Sequence, residues 1–281
     1  MSAVGRAEVF AENLRWIERD RAEHTSIVRG VLSELVSKDM CGALPRDAAR
    51  VFRDAVGEIN TPERVRVFTE LCAALHCGVS SDAGASAKSK IDELLCPSDG
   101  ELVVYVRSDT ADAAFETFSD GREVRASYAA SFREACESVY YERADYCILP
   151  LEDTSDGLLV PFRRMMMKYD LRLCGAVLQR NGEDTASVLA LVGGSAALSG
   201  DVYEYYVPSV SAADIVCISA MCEALGARLV RITSVMSEYG GEFDHHVCIR
   251  VDRCDCGVLE YTVEALYPAS QLLGRYSIRE A

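Results

Sequence analysis

Residues Asp145–Val177 read DYCILPLEDTSDGLLVPFRRMMMKYDLRLCGAV. Cys147–Leu149 is a short apolar run and predicts a buried strand. Ser155–Tyr169 predicts a helix, and Leu171–Leu178 a second apolar strand. Apolar residues at consecutive rather than alternating positions belong to strands covered on both faces, the condition of a parallel sheet. The same rhythm extends upstream. Leu102–Val106 (LVVYV) reads as a buried strand, Thr110–Phe118 as a helix, Glu123–Ser127 as a strand and Ser131–Glu142 as a helix. Ser131 caps that last helix and Glu134 stands three residues on, the spacing of a capping box. Downstream, Val188–Val192 adds another strand. Strands and helices in alternation predict an α/β layer with a mainly parallel sheet.

The rest of the chain is built differently. From residue 201 the order is strand Glu204–Val207, helix Ala212–Leu225 closed by Gly226, strands Arg228–Met236 and His245–Val251, helix Val258–Leu266 and strand Gln271–Ser277. That is βαββαβ, a ferredoxin-like unit. Before the layer, residues 7–38 carry Phe10, Leu14, Ile17, Val28, Val31 and Leu35 on helical spacing, interrupted by Arg21 and His24. Pro45 starts a second helix with Val51, Phe52, Ala55, Val56 and Ile59 inward. Thr61-Pro62-Glu63 starts a third, with a Thr cap and Pro at the first helical position. Cys77-Gly78 is expected to end it. The small polar run from Val79 to Ala87 reads as linker. The fold class is thus α+β / α/β multidomain: a helical domain at 1–78, a linker at 79–100, an α/β lobe at 101–200 and a βαββαβ domain at 201–281.

Composition excludes some functions. The 281 residues hold 29 Lys+Arg against 44 Asp+Glu, a net charge of −15. Such a charge repels phosphate backbones and anionic lipid, so neither nucleic acid nor membrane is expected as a partner. No run reaches the ~18 apolar residues of a membrane helix. The first residues lack a basic-then-apolar export pattern. A cytoplasmic setting is therefore expected, in which the 12 cysteines serve mainly as small buried hydrophobes. His245-His246 with Cys254-Asp-Cys256 departs from zinc spacing, because adjacent strand residues face opposite sides. No P-loop, GxGxxG, GxSxG or HExxH stands in the chain. No metal or other cofactor is expected.

The Asp145–Val177 stretch resembles a signature segment of the prephenate dehydratase family, in which an "Ala-Asp-Tyr-Gly-Val-Val-Pro" strand runs into "Ile-Glu-Asn-Ser". Ala144-Asp145-Tyr146, Pro150, Glu152, Thr154 and Gly157 hold the corresponding places. The βαββαβ unit resembles the ACT domain that follows the catalytic part in that family. Leu229–Met236 falls where the family has "Ile-Glu-Ser-Arg-Pro", and Leu272-Leu-Gly-Arg-Tyr276 where it has "Val-Leu-Gly-Ser-Tyr-Pro". The resemblance covers about residues 101–281. It implies two-domain organisation, Glu152, Thr154 and Thr185 as catalytic counterparts, phenylalanine metabolism as the setting and a homodimer through the ACT-like domain.

The sequence also departs from the family. The outgoing strand ends near Val177 and the return strand begins near Thr185, with only Leu178–Asp184 between them. No length remains for a second lobe. The return motif Thr-Arg-Phe is Thr185-Ala186-Ser187 here, and the family's Asn after Glu is Asp153. Prephenate is a dianion, and its decarboxylating dehydration needs anion binding, an acid and exclusion of water. Loss of the arginine and of one wall removes much of that. The leading expectation is a non-catalytic, ligand-sensing or regulatory relative. A prephenate dehydratase, or a chorismate mutase in residues 1–95, stays open as an alternative. The expected ligand is a small carboxylate or aromatic amino acid. Helix starts near Asp109-Thr110 and at Thr154–Gly157 offer free N–H groups to a carboxylate, or are caps only. Asp153 adds acid beside the second. In the ACT-like part, Asp214 at the first helix, with Thr233 and Ser234 at the "Glu-Ser-Arg-Pro" position, completes the candidate ligand residues.

Overall fold

The computed structural model describes residues 45–79, 97–154, 157–180, 185–194, 200–208, 212–237, 243–251 and 256–280, together with Ser26. The long helix expected over 7–38, with Arg21 and His24, lies outside the described residues. The described chain groups into two compact units that do not follow sequence order.

One unit is helical. Its described helices are Pro45–Val56 (α1) and Pro62–Val79 (α2), with Ala212–Leu225 (α6) and Cys256–Leu266 (α7) from the βαββαβ segment. Pro62 opens α2 as expected, and the Thr61 hydroxyl accepts from the Arg64 N–H at 3.4 Å. The helix does not stop at Cys77-Gly78 but runs through Val79, because a lone glycine only weakens a helix by about 1 kcal/mol. Ala48, Ala49, Phe52, Phe68, Leu71, Cys72 and Ala265 form its core. Phe52 and Phe68 meet edge to face at 5.2 Å, and Arg66 binds Glu223 at 2.7 Å.

Among the described residues the other unit is a single sheet with three helices. In chain order its elements are β1 (Leu102–Tyr105), α3 (Asp109–Ser119), β2 (Arg125–Tyr128), α4 (Phe132–Tyr140), β3 (Tyr146–Asp153), β4 (Gly157–Leu158), α5 (Val160–Lys168), β5 (Arg172–Arg180), β6 (Ala186–Gly193), β7 (Val202–Val207), β8 (Arg228–Met236), β9 (Phe243–Arg250), β10 (Gln271–Tyr276) and β11 (Ile278–Glu280). The spatial order is β2-β1-β3-β6-β5-β10-β7-β9-β8. β1 runs parallel to β2 and β3, while β6 lies antiparallel between β3 and β5. The last four strands are antiparallel in the order β10-β7-β9-β8, the ferredoxin-like arrangement. The expected sequence border at residue 200 falls inside this sheet.

The continuous apolar strands are explained by burial on both faces. On one face Val104, Cys147, Leu149, Leu173, Ala190 and Val192 meet Ala135, Cys136 and Val139 of α4 and Met166 of α5. On the other, Val103, Tyr105, Ile148, Val177 and Leu191 meet Ala111, Ala114 and Phe118 of α3. Ser131 caps α4 as expected, accepting from Glu134 N–H at 3.2 Å, and Glu134 reaches back to the Ala130 N–H at 2.8 Å.

Two differences bear on the site. β3 is longer than the apolar run Cys147–Leu149 and carries Glu152 and Asp153 within it. The helix expected from Ser155 begins only at Val160, with Pro161 in its first turn. Gly157 takes a left-handed φ of 68° and turns the chain back, so that Gly157 and Leu158 pair with Asp153 and Glu152. A proline in the first turn and a glycine in the turn before it outweigh the weaker start at Thr154. The sheet's two halves join where β10 meets β5 at Gly274 and Leu173. A Cβ at Gly274 would collide with Leu173, which gives the glycine of Leu272–Tyr276 a steric reason.

Candidate functional site

The site grows from a buried arginine. α5 places Arg163 wholly inside the sheet unit, the largest of the fully buried side chains among the described residues. A buried guanidinium requires a partner for its charge and its five donors. Arg163 Nε binds Glu204 Oε1 of β7 directly, and Nη2 lies 3.3 Å from Glu204 Oε2. Nη1 donates to the Leu151 carbonyl at 2.8 Å. The Tyr276 hydroxyl of β10 donates to Glu204 Oε2 at 3.0 Å. Burial works against the Glu204 carboxylate, but Arg163, His246 and the Tyr276 hydroxyl outweigh it and hold its pKa below the ordinary value.

Glu152 carries this cluster outward. Its Oε1 lies 3.6 Å from Arg163 Nη2 and its Oε2 2.6 Å from Arg231 Nη1 of β8. Arg231 Nη2 also donates to Cys248 Sγ at 3.4 Å. Burial, with Glu204 nearby, pushes the Cys248 thiol up to about 12. His246 sits on the same polar face of β9. Burial first, and then the Arg163 charge, pushes its pKa down to about 4, so it is neutral at pH 7. Two glutamates and two arginines balance, and five elements (β3, α5, β7, β8 and β10) are tied by side-chain contacts.

The remaining sequence candidates fall in three places. Thr154 follows β3 and is bound to the first residue of β6. Its hydroxyl donates to the Ala186 carbonyl at 2.7 Å and accepts from the Ala186 N–H at 2.5 Å. Asp153 accepts from the Ser187 hydroxyl at 3.1 Å. Thr185 stands exposed, directly before β6. The strands therefore bring Glu152, Asp153, Thr154 and Thr185 to one edge, where Glu152 and Thr154 are held by protein partners. β5 and β6 form an antiparallel pair joined by residues 181–185.

Asp109 and Thr110 lie elsewhere, as the first two residues of α3 beyond the end of β1. Ser108, not Asp109, is the cap: its side chain accepts from the Ala111 N–H at 3.1 Å and lies 3.1 Å from the Thr110 hydroxyl. Thr233 and Ser234 lie on β8 and face opposite sides. Thr233 is half-buried opposite His246, and the Ser234 hydroxyl lies 2.8 Å from His245 Nδ1. Asp214 lies on α6 in the helical unit, with its side chain outside the described residues. Cys254 is also outside them. His245 and His246 point to opposite faces of β9, which separates them as metal ligands.

Sequence reading missed Arg163, Glu204, Arg231, His246 and Tyr276 as one cluster. A signal for part of it existed: Glu204 is a single acid in Val202-Tyr-Glu-Tyr-Tyr-Val207, and an acid in a buried strand demands a cation.

By sequence, neither a protein-family profile nor a characterised protein matches the chain. Solved structures do resemble it. Prephenate dehydratase from Streptococcus mutans aligns with a TM-score of 0.53 at 11% identity, over 64% of this chain and 99% of that one. The fold is prephenate-dehydratase-like. Prephenate dehydratase from Arthrobacter aurescens, solved in complex with L-Phe, aligns with a TM-score of 0.50 at 14% identity, over 63% and 90%. A third structure, described as GqqA, a novel type of quorum quenching acylase, aligns with a TM-score of 0.52 at 13% identity, over 62% and 94%. One prephenate-dehydratase-like fold thus accompanies two differently described activities. Fold alone does not assign the reaction, and side chains must do so.

Proposed function

We propose that this protein is a non-catalytic, ligand-sensing or regulatory relative of prephenate dehydratases, tied to aromatic amino-acid metabolism. The observation that carries this reading is the state of the catalytic counterparts. Glu152 is held between Arg163 and Arg231. The Thr154 hydroxyl makes both of its bonds to the backbone of Ala186. Ala186 and Ser187 stand where an arginine and a phenylalanine would follow Thr185. Both Glu152 oxygens face protein cations rather than a substrate, and five residues between β5 and β6 cannot build an opposing wall. The ligand class, a small carboxylate or aromatic amino acid, is supported by the solved neighbour that holds L-Phe. In this reading the βαββαβ segment is an ACT-like domain, Asp214 in the helical unit and Thr233 and Ser234 in the sheet unit are separate candidate ligand residues, and two copies pair through this domain in the cytoplasm.

The test is a thermal-shift series with prephenate, chorismate, phenylalanine, tyrosine and tryptophan, followed by a dehydratase assay. A ligand at a hundred times its Kd adds about 2.7 kcal/mol, enough to raise Tm by several degrees. A shift with an amino acid and no phenylpyruvate formed is the expected result. Turnover of prephenate would overturn the reading.

A further inference from the structure

At the edge where β3 and β5 end and β6 begins, a polar row lies on the face opposite the Arg163 cluster. Asp153 pairs with Ser187, and Ser187 with Gln179, so three side chains stand abreast across β3, β6 and β5. Residues in register on neighbouring strands share a face. Here it is the face that α3 covers, because Leu189 and Val177, two residues away on the same strands, pack there.

The row is half-buried at Asp153 and Ser187, while Gln179 is only 5% exposed. The Ser187 hydroxyl donates to Asp153 Oδ2 at 3.1 Å. Among the described residues, nothing accepts a hydrogen bond from the buried Gln179 Nε2. An amide N–H removed from water without an acceptor is destabilising, and a leucine of similar size would avoid that loss. The donor gains a purpose when a bound molecule supplies the acceptor.

Charge defines that molecule. Against the Thr-Arg-Phe and Glu-Asn motifs, Ala186 removes a positive charge at this edge and Asp153 adds a negative one. Both changes disfavour a dianion and favour a positive group. The cations around the row are met by other acids. Arg279, opposite Val177 on the same face, binds Asp120 at 3.5 Å, and exposed Arg180 binds Glu280 at 3.3 Å.

We propose that the Asp153–Ser187–Gln179 row binds the zwitterionic head of an α-amino acid. The ammonium lies on the Asp153 carboxylate and the Ser187 oxygen, and the ligand carboxylate accepts from Gln179 Nε2. A carboxylate offers about four acceptor positions, so the bond from Ser187 does not exhaust Asp153. Two strand spacings separate Asp153 from Gln179 by about 10 Å at the backbone, room for a head group with a hydrogen bond at each end. The inference rests on the ligand-binding reading above and names the ligand's recognised group and the residues that hold it.

The test is isothermal calorimetry on the full chain with L-phenylalanine, L-tyrosine and L-tryptophan, continued with whichever binds most tightly. Gln179→Leu should weaken that amino acid at least tenfold while Tm stays level or rises, since the variant removes a buried donor that lacks an acceptor. Asp153→Asn should weaken it at least tenfold as well, with circular dichroism like the parent's. The matching keto acid and the matching amine, each lacking one charge, should bind at least tenfold more weakly than the amino acid. A lower Tm in Gln179→Leu with affinity intact would overturn the proposal and make the amide structural. Loss of affinity in Thr233→Val/Ser234→Ala, with both row variants unaffected, would also overturn it. That result would keep the sensing reading and move the ligand to β8. Binding of none of the three amino acids would overturn the proposal too, and leave the reading to the prephenate and chorismate arms of the thermal series. Turnover of prephenate, with amino-acid binding lost in the row variants, would overturn the reading and support the row.

Discussion

The two ends of the polar region around β3 treat charge in opposite ways. Inward, Arg163, Glu204 and Tyr276 are removed from water and satisfy one another through specific contacts. Outward, Thr154 and Thr185 stand at the surface, and Thr154 is bonded to backbone. Glu152 bridges the two regions. The comparison teaches that a residue resembling a catalytic acid, Glu152, can be held in place by an ion cluster that ties strands from both halves of one sheet.

The largest effect is expected at the inner end. Arg163→Met leaves Glu204 buried without its cation, a change that costs about 3–5 kcal/mol in comparable sites. Urea unfolding should show it. The triple variant Arg163→Met/Glu204→Leu/Tyr276→Phe removes the charge requirement together with its partners and should recover most of that loss. A single variant as stable as the parent would mean that the cluster holds nothing together, and the contrast between the two ends would fail.

His246 tests the same end through pH. Its pKa falls from 6.5 to about 4 on folding, so the unfolded chain binds more protons between those values. The stability this represents is present above pH 6.5 and is lost as pH falls towards 4, at most roughly 3 kcal/mol. Glu204, whose pKa is also lowered, loses its contribution in a more acidic window, below its unfolded value of about 4.3. His246→Phe should therefore flatten the fall in Tm between pH 6.5 and 4.5 while leaving the fall below pH 4. An unchanged profile in the upper window would place His246 in contact with water.

A third expectation concerns the seam. Gly274→Val sets side-chain carbons against Leu173. Overpacking of this kind costs about 1–3 kcal/mol. The loss should appear as lower amide protection in β5 and β10 ahead of β1 and β2. Equal loss in all four strands would mean that the sheet unfolds as one body without a weaker seam.

These residues also show what was legible in the chain. The strand–helix alternation was readable because consecutive apolar residues and the Ser131–Glu134 cap are local signals. The βαββαβ order was readable for the same reason. The position of α5 was not, since Thr154 and Pro161 both offer helix starts, and the choice rests on the turn at Gly157 and its pairing with Asp153. Nor was the cluster around Arg163 readable, because its members come from residues 152, 163, 204, 231 and 276. Only the sheet order brings β3, β7, β8 and β10 to one arginine. Glycine 274 stood out by resemblance, but its reason lies in a strand a hundred residues away.

The smallest expected effect sharpens the outer end. Thr154→Val keeps the shape of the side chain and removes its two bonds to Ala186. The site is exposed, so water replaces those bonds, and the loss of stability should be about 0.5–1 kcal/mol. Because the hydroxyl is already occupied on both sides, affinity for any carboxylate or amino acid that shifts the parent's Tm should change less than twofold by calorimetry. The two readouts separate the roles of the group. Slight destabilisation with affinity intact assigns Thr154 to the pairing of β3 with β6. Intact stability with affinity lost would make the hydroxyl a ligand contact. That result would place ligand binding at the exposed edge, beside Thr185.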